Sequence, residues 1–193
     1  MIHRVVVLFI GICLLTSTAM AGTITTYPAG ELKPVDSVLK VAEGDVAPDF
    51  ELPSIADTTV RLSDYRGKKN VVLTFVPAAW TPICSDQWPG YTLAMDMFRA
   101  NDTELIGITV DNTPTQKAWV AAMGGLDFPV LSDFWPHGKV ASEYGVLRSK
   151  GFSERALFII DKKGIIRFIH VGDINKRPDL GMLMKALENV SAE

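Results

Sequence analysis

Cysteine is nearly absent from this chain, with two among 193 residues, Cys13 and Cys84. Internal disulfide cross-linking therefore has little to build on, and a thiol that remains needs its own explanation. Charge of one sign is lacking too. The 19 lysines and arginines are balanced by 22 acidic residues, for a net charge of −3. With no basic cluster, nothing supports nucleic acid as a partner. Three histidines show no metal-ligand spacing, so neither His137 nor His170 points to a metal, and no cofactor is called for. No internal repeat or low-complexity segment is present. The hydrophobic share of 48% with 21% charged residues fits one globular domain.

Long apolar runs are missing as well. The longest, residues 5–15, has eleven members, too few to span a bilayer comfortably. It follows Arg4 and precedes Ala19-Met20-Ala21, the pattern of an export signal cleaved after residue 21. Cys13 lies inside it and would leave with it. The expected organisation is a signal at 1–21, an extension or linker at 22–43, and one domain at 44–193. The destination would be the bacterial periplasm or the exterior, with no stable membrane insertion after cleavage. Cysteines in such compartments usually pair. A single one, Cys84, is either buried and inert or kept for reaction.

Periodicity outlines the domain. The run 71–76 (VVLTFV) has five apolar residues of six and four β-branched, and predicts a buried strand. A helix is expected over 85–100 with a kink at Pro89, a second strand over 105–110, and a helix from Pro114 to 123. A short strand over 128–131 and a short helix over 139–144 follow. Strands 156–160 and 165–171 flank Asp161-Lys162-Lys163-Gly164, a hairpin signal. A closing amphipathic helix covers 180–190. This order predicts an α/β thioredoxin-like fold, a central mixed sheet with helices on both faces.

The strand at 71–76 delivers Cys84 to a helix start, where unpaired N–H groups and the macrodipole favour an anion. The reactive form of cysteine is the anionic thiolate. Thr81, three positions earlier, shares a helix face with Cys84, so its hydroxyl can reach the sulfur and an incoming oxygen. Pro77 has no N–H and can line a pocket without competing for the thiolate. An arginine would complete such a site. Arg155, at the mouth of strand 156–160, is the first candidate, with Arg148 as the alternative.

These residues carry a resemblance. Pro77-x-x-x-Thr81-x-x-Cys84 resembles the active-site signature of the peroxiredoxins, thiol peroxidases with a thioredoxin-like core. Gly44-Asp45-Val46-Ala47-Pro48-Asp49-Phe50 is similar to the family's domain opening. Leu131-Ser132-Asp133-Phe134-Trp135-Pro136-His137-Gly138 with Tyr144-Gly145-Val146 is similar to the single-cysteine AhpE-type branch. Arg155-Ala156-Leu157-Phe158-Ile159-Ile160-Asp161 resembles the strand bearing the family's catalytic arginine.

The resemblance implies that Cys84 attacks hydrogen peroxide or an organic hydroperoxide and becomes a sulfenic acid. Thr81 and Arg155 would stabilise the reacting oxygens, and Pro77 would shield the sulfur. A free thiol of pKa ~8.5 is only ~3% ionised at pH 7, so full ionisation gains at most roughly thirtyfold. The rest of the rate must come from donors aimed at the transition state. Two departures stand out. Gln87 occupies a position where many relatives carry glutamate. No resolving cysteine remains after signal removal, which implies an external thiol or thioredoxin- or glutaredoxin-like reductant. Family members commonly form homodimers, and Trp80, Phe134 and Trp135 are candidates for packing or interface.

Two other functions fit parts of the pattern. Trp80-Thr81-Pro82-Ile83-Cys84 mimics the thioredoxin Trp-Cys-x-x-Cys, but threonine in the first position removes the dithiol needed for exchange. A non-catalytic thioredoxin-fold binding module or thiol sensor is the third reading.

Overall fold

The computed structural model describes residues 23–191. The expected signal segment and Cys13 lie outside the described residues. The central sheet has five strands, β3 (Asn70–Phe75), β4 (Thr103–Thr109), β5 (Val130–Ser132), β6 (Ala156–Ile160) and β7 (Ile166–Val171). Their order is β5-β4-β3-β6-β7, with β3, β4 and β5 parallel and β6 and β7 antiparallel additions. A small hairpin, β1 (Glu51–Pro53) with β2 (Thr59–Arg61), precedes it, followed by a single 3-10 turn at Leu62–Tyr65. The mixed sheet and the hairpin at Asp161 to Gly164 match the expectation from periodicity.

β3 is buried along its whole length, which explains its nearly continuous apolar sequence. Side chains alternate between two cores. Val71, Leu73 and Phe75 join Ala156, Phe158 and Ile160 on one face, under α4 (Lys139–Tyr144). Val72 and Val76 join Leu157 and Ile159 on the other. That second face is covered by α1 (Pro82–Leu93), α2 (Met95–Ala100), α3 (Thr113–Ala122) and α5 (Leu180–Ser191). Helices thus cover both faces.

One long helix was expected over 85–100, and two are present. Pro89 is accommodated inside α1. The division falls at Ala94, where φ is −99° and ψ is 7° and the N–H turns to the carbonyls of Tyr91 and Thr92. α1 packs closely on the sheet because β4 has a glycine beneath it. A Cβ built on Gly107 would lie 2.8 Å from the Trp88 ring. Trp88 in turn stacks at 4.9 Å on Trp119 of α3.

Residues 23–43 form no helix or strand. The segment lies along the domain, and a Cβ on Gly145 would collide with the backbone of Val38, Leu39 and Lys40.

Candidate active site

Cys84 is the one free cysteine among the described residues and is fully buried. It is the third residue of α1, which opens with Pro82 at its first position and Thr81 as its extended N-cap. The loop from Pro77 to Thr81 joins β3 to this helix. Its Ala79 N–H donates to Asp111 Oδ2 at 2.8 Å, and Ser153 Oγ donates to the Val76 carbonyl at 2.8 Å. Trp80 adopts φ +64°, a left-handed conformation uncommon for such a side chain.

Arg155 reaches this helix through strand pairing. In the β3–β6 register Phe75 faces Ala156, so Arg155 emerges beside the point where β3 runs on toward Pro77. Its side chain is buried. Nη1 and Nη2 each lie 3.6 Å from Cys84 Sγ. Nη1 also donates to Gln87 Oε1 at 2.6 Å. Nε and Nη2 donate to the Ile174 carbonyl at 3.2 and 3.1 Å. With five N–H donors to place, the guanidinium has every edge engaged.

Gln87 is itself fixed. Its amide nitrogen donates to Thr74 Oγ1 at 3.3 Å and to the Tyr91 hydroxyl at 3.2 Å. Burial pushes the Tyr91 hydroxyl up to about 12. It therefore remains neutral at any physiological pH and presents an unchanging partner to Gln87.

The structure brings Arg155 and Cys84 together and places Arg148 elsewhere. Arg148 forms a buried ion pair with Glu154 and donates to the Lys33 carbonyl at 2.7 Å. Thr81 departs from one expectation. Its hydroxyl donates to the Ala78 carbonyl at 2.9 Å, not to the sulfur. The hydrogen is thereby committed to the backbone, leaving lone pairs to accept from a ligand. Trp80 packs partly against the core around Cys84. Phe134 and Trp135 are exposed at 48% and 81%, so the alternative of a core role fails for both.

Pro77, Thr81 and Arg155 line a cavity of about 180 Å³ with Ile83, Ile174 and Asn175. Cys84 lies behind that wall. A larger cavity of about 360 Å³ sits at the opposite end of β3, around Asn70, Asp102 and Lys162. It contains none of the motif residues. Among the described residues no cluster of His, Cys, Asp and Glu can hold a metal, and no helix is long and apolar enough to cross a membrane.

Sheet, helix-borne thiol and bridging arginine together define a thioredoxin-fold enzyme of cysteine redox chemistry. The AhpC/TSA family model matches residues 43–169. Alkyl hydroperoxide reductase E of Mycobacterium tuberculosis is 39% identical over 150 residues, covering 77% of this chain and 97% of that protein. The reduced 2-Cys peroxiredoxin of Plasmodium vivax superposes with a TM-score of 0.72 at 27% identity, over 78% of this chain and 82% of the other. AhpC of Mycobacterium tuberculosis shares the fold, with a TM-score of 0.72 at 22% identity, over 79% and 94%. The chain belongs to the AhpC/TSA family, the peroxiredoxins. It is a thiol-dependent peroxidase, an oxidoreductase.

Proposed function

We propose that Cys84 is the peroxidatic residue of a single-cysteine cycle. The thiolate sulfur attacks one peroxide oxygen, forming an S–O bond as the O–O bond breaks. The departing oxygen takes up a proton and leaves as water or an alcohol. Sulfur is oxidised to the sulfenic acid and the peroxide is reduced. Arg155 holds the sulfur and stabilises charge moving onto the oxygens. Thr81 accepts a hydrogen bond from the peroxide O–H, and Pro77 lines the approach. An external thiol then condenses with the sulfenic acid, releasing water and forming a mixed disulfide. A second thiol displaces Cys84 and completes the two-electron reduction.

The observation that carries this reading is the Arg155 guanidinium bridging Cys84 Sγ through two nitrogens at 3.6 Å. Export to the periplasm or beyond is part of the proposal, supported by the pattern at residues 1–21. So is a homodimer, supported by the exposed Phe134 and Trp135. Stopped-flow mixing with hydrogen peroxide, followed by tryptophan fluorescence, tests the central step. Cys84→Ser is expected to abolish peroxide consumption. Turnover retained in that variant would remove Cys84 from the reaction.

A further inference from the structure

One wall of the cavity in front of Cys84 is built by the N-terminal extension, in Pro28, Ala29, Gly30 and Leu32. All four precede residue 43, where the match to the family model begins. This wall is therefore an addition to the common domain.

The segment is pinned on both sides of that wall. Tyr27 N–H donates to the carbonyl of the left-handed Trp80 at 2.7 Å. The Asn175 side chain pairs with both backbone groups of one residue, accepting from Leu32 N–H at 3.0 Å and donating to the Leu32 carbonyl at 2.7 Å. Ile174 N–H donates to the Pro34 carbonyl at 3.1 Å. Farther along, Glu154 accepts from the N–H groups of Asp36 and Ser37 at 2.6 and 2.9 Å. These bonds use backbone groups on the extension. They hold Pro28 and Leu32 in place while leaving their side chains free to face the cavity.

Polarity is distributed unevenly around the cavity. Thr81 and Arg155 supply polar groups on the side of the sulfur. Pro28, Leu32, Ile83 and Ile174 supply hydrocarbon elsewhere, and the Asn175 amide in the lining is spent on the Leu32 backbone and Asp173. At roughly 30 Å³ for each water-sized molecule, the space exceeds what two peroxide oxygens require. A hydroperoxide with its O–O bond at the thiol would set its organic group against Leu32 and Pro28.

We infer that Leu32 and Pro28 are specificity-determining residues that select organic hydroperoxides carrying a compact alkyl or aryl group. The inference rests on the peroxidase reading of Cys84. Each methylene of substrate buried there favours reaction by roughly fourfold. Peroxides without a hydrocarbon group gain nothing from this wall.

The test compares second-order rate constants for oxidation of Cys84 by cumene hydroperoxide and by hydrogen peroxide, using the full chain. The wild-type protein is expected to react faster with cumene hydroperoxide. Leu32→Ala is expected to lower the ratio of the two rate constants about tenfold. Leu32→Asn, which keeps the branched outline and makes the wall polar, is expected to lower it as well. Because Leu32 is half-buried in irregular chain, both variants should fold. General damage would slow both reactions together and cancel in the ratio. An unchanged ratio in both variants overturns the inference while leaving the peroxidase reading intact. Failure of both peroxides to oxidise wild-type Cys84 would sink both readings.

Discussion

The side-chain oxygen of Gln87 lies 2.6 Å from Nη1 of Arg155, so a neutral amide steadies the guanidinium that faces Cys84. The opposite end of that amide is tied to Thr74 and Tyr91. This arrangement orients the amide without relying on charge. With no carboxylate on that edge, Arg155 has no anionic partner there to compete with the Cys84 sulfur.

Removing the guanidinium should therefore cost more than removing its support. Arg155→Ala is expected to slow oxidation of Cys84 by about 10²- to 10³-fold. Arg155→Lys should recover little, because one ammonium cannot span sulfur, Gln87 and the Ile174 carbonyl together. Gln87→Ala is expected to cost about tenfold, since the Ile174 carbonyl still accepts from Nε and Nη2 of Arg155. Stopped-flow fluorescence gives all three rates. An Arg155→Ala protein as fast as wild type would assign stabilisation of the transition state to another group.

Alkaline stability should reflect the buried phenols. Desolvation pushes Tyr65 and Tyr91 each up to about 12 and raises Tyr144 also. An unfolded tyrosine ionises near pH ~10. The stability contributed by keeping these groups neutral is complete below that pH and is lost as pH rises toward about 12. For Tyr91 alone the difference is about 3 kcal/mol. In a Tyr27→Phe background, tyrosinate absorbance should rise together with loss of far-ultraviolet circular dichroism. Ionisation of Tyr91 and Tyr144 well before unfolding would contradict their burial.

Gly107 should be intolerant of a side chain. Its Cβ would press within 2.8 Å of Trp88 and 3.2 Å of Phe128. Gly107→Ala is expected to destabilise the fold by about 1–3 kcal/mol, visible as a lower Tm. It should also shift Trp88 fluorescence, because the indole has to move away from the sheet. An unchanged Tm would show that α1 can lift without cost.

Several elements could be read before the fold was known. The strand at 71–76 starts and ends one residue earlier in the structure, at Asn70 and Phe75. The short helix at 139–144 has the expected limits. Both have local causes, a continuous apolar run in one and a flanking glycine at each end in the other. The division of the helix at Ala94 was not legible. Pro89 is the obvious local breaker, yet it fits within α1, and alanine gives no local signal for a break.

The sequence by itself determined a strand running into a helix that carries Cys84 at its start with Thr81 three positions before it, because these neighbours are set by chain order and helix geometry. Only the tertiary structure decided which arginine reaches the sulfur. Arg155 lies 71 residues from Cys84, and the register of β3 against β6 brings them together. Tertiary structure also turned Pro28, Ala29, Gly30 and Leu32 into a wall of the cavity. That segment docks through backbone N–H and C=O groups, which every residue type except proline carries alike, so composition and periodicity hold no trace of it.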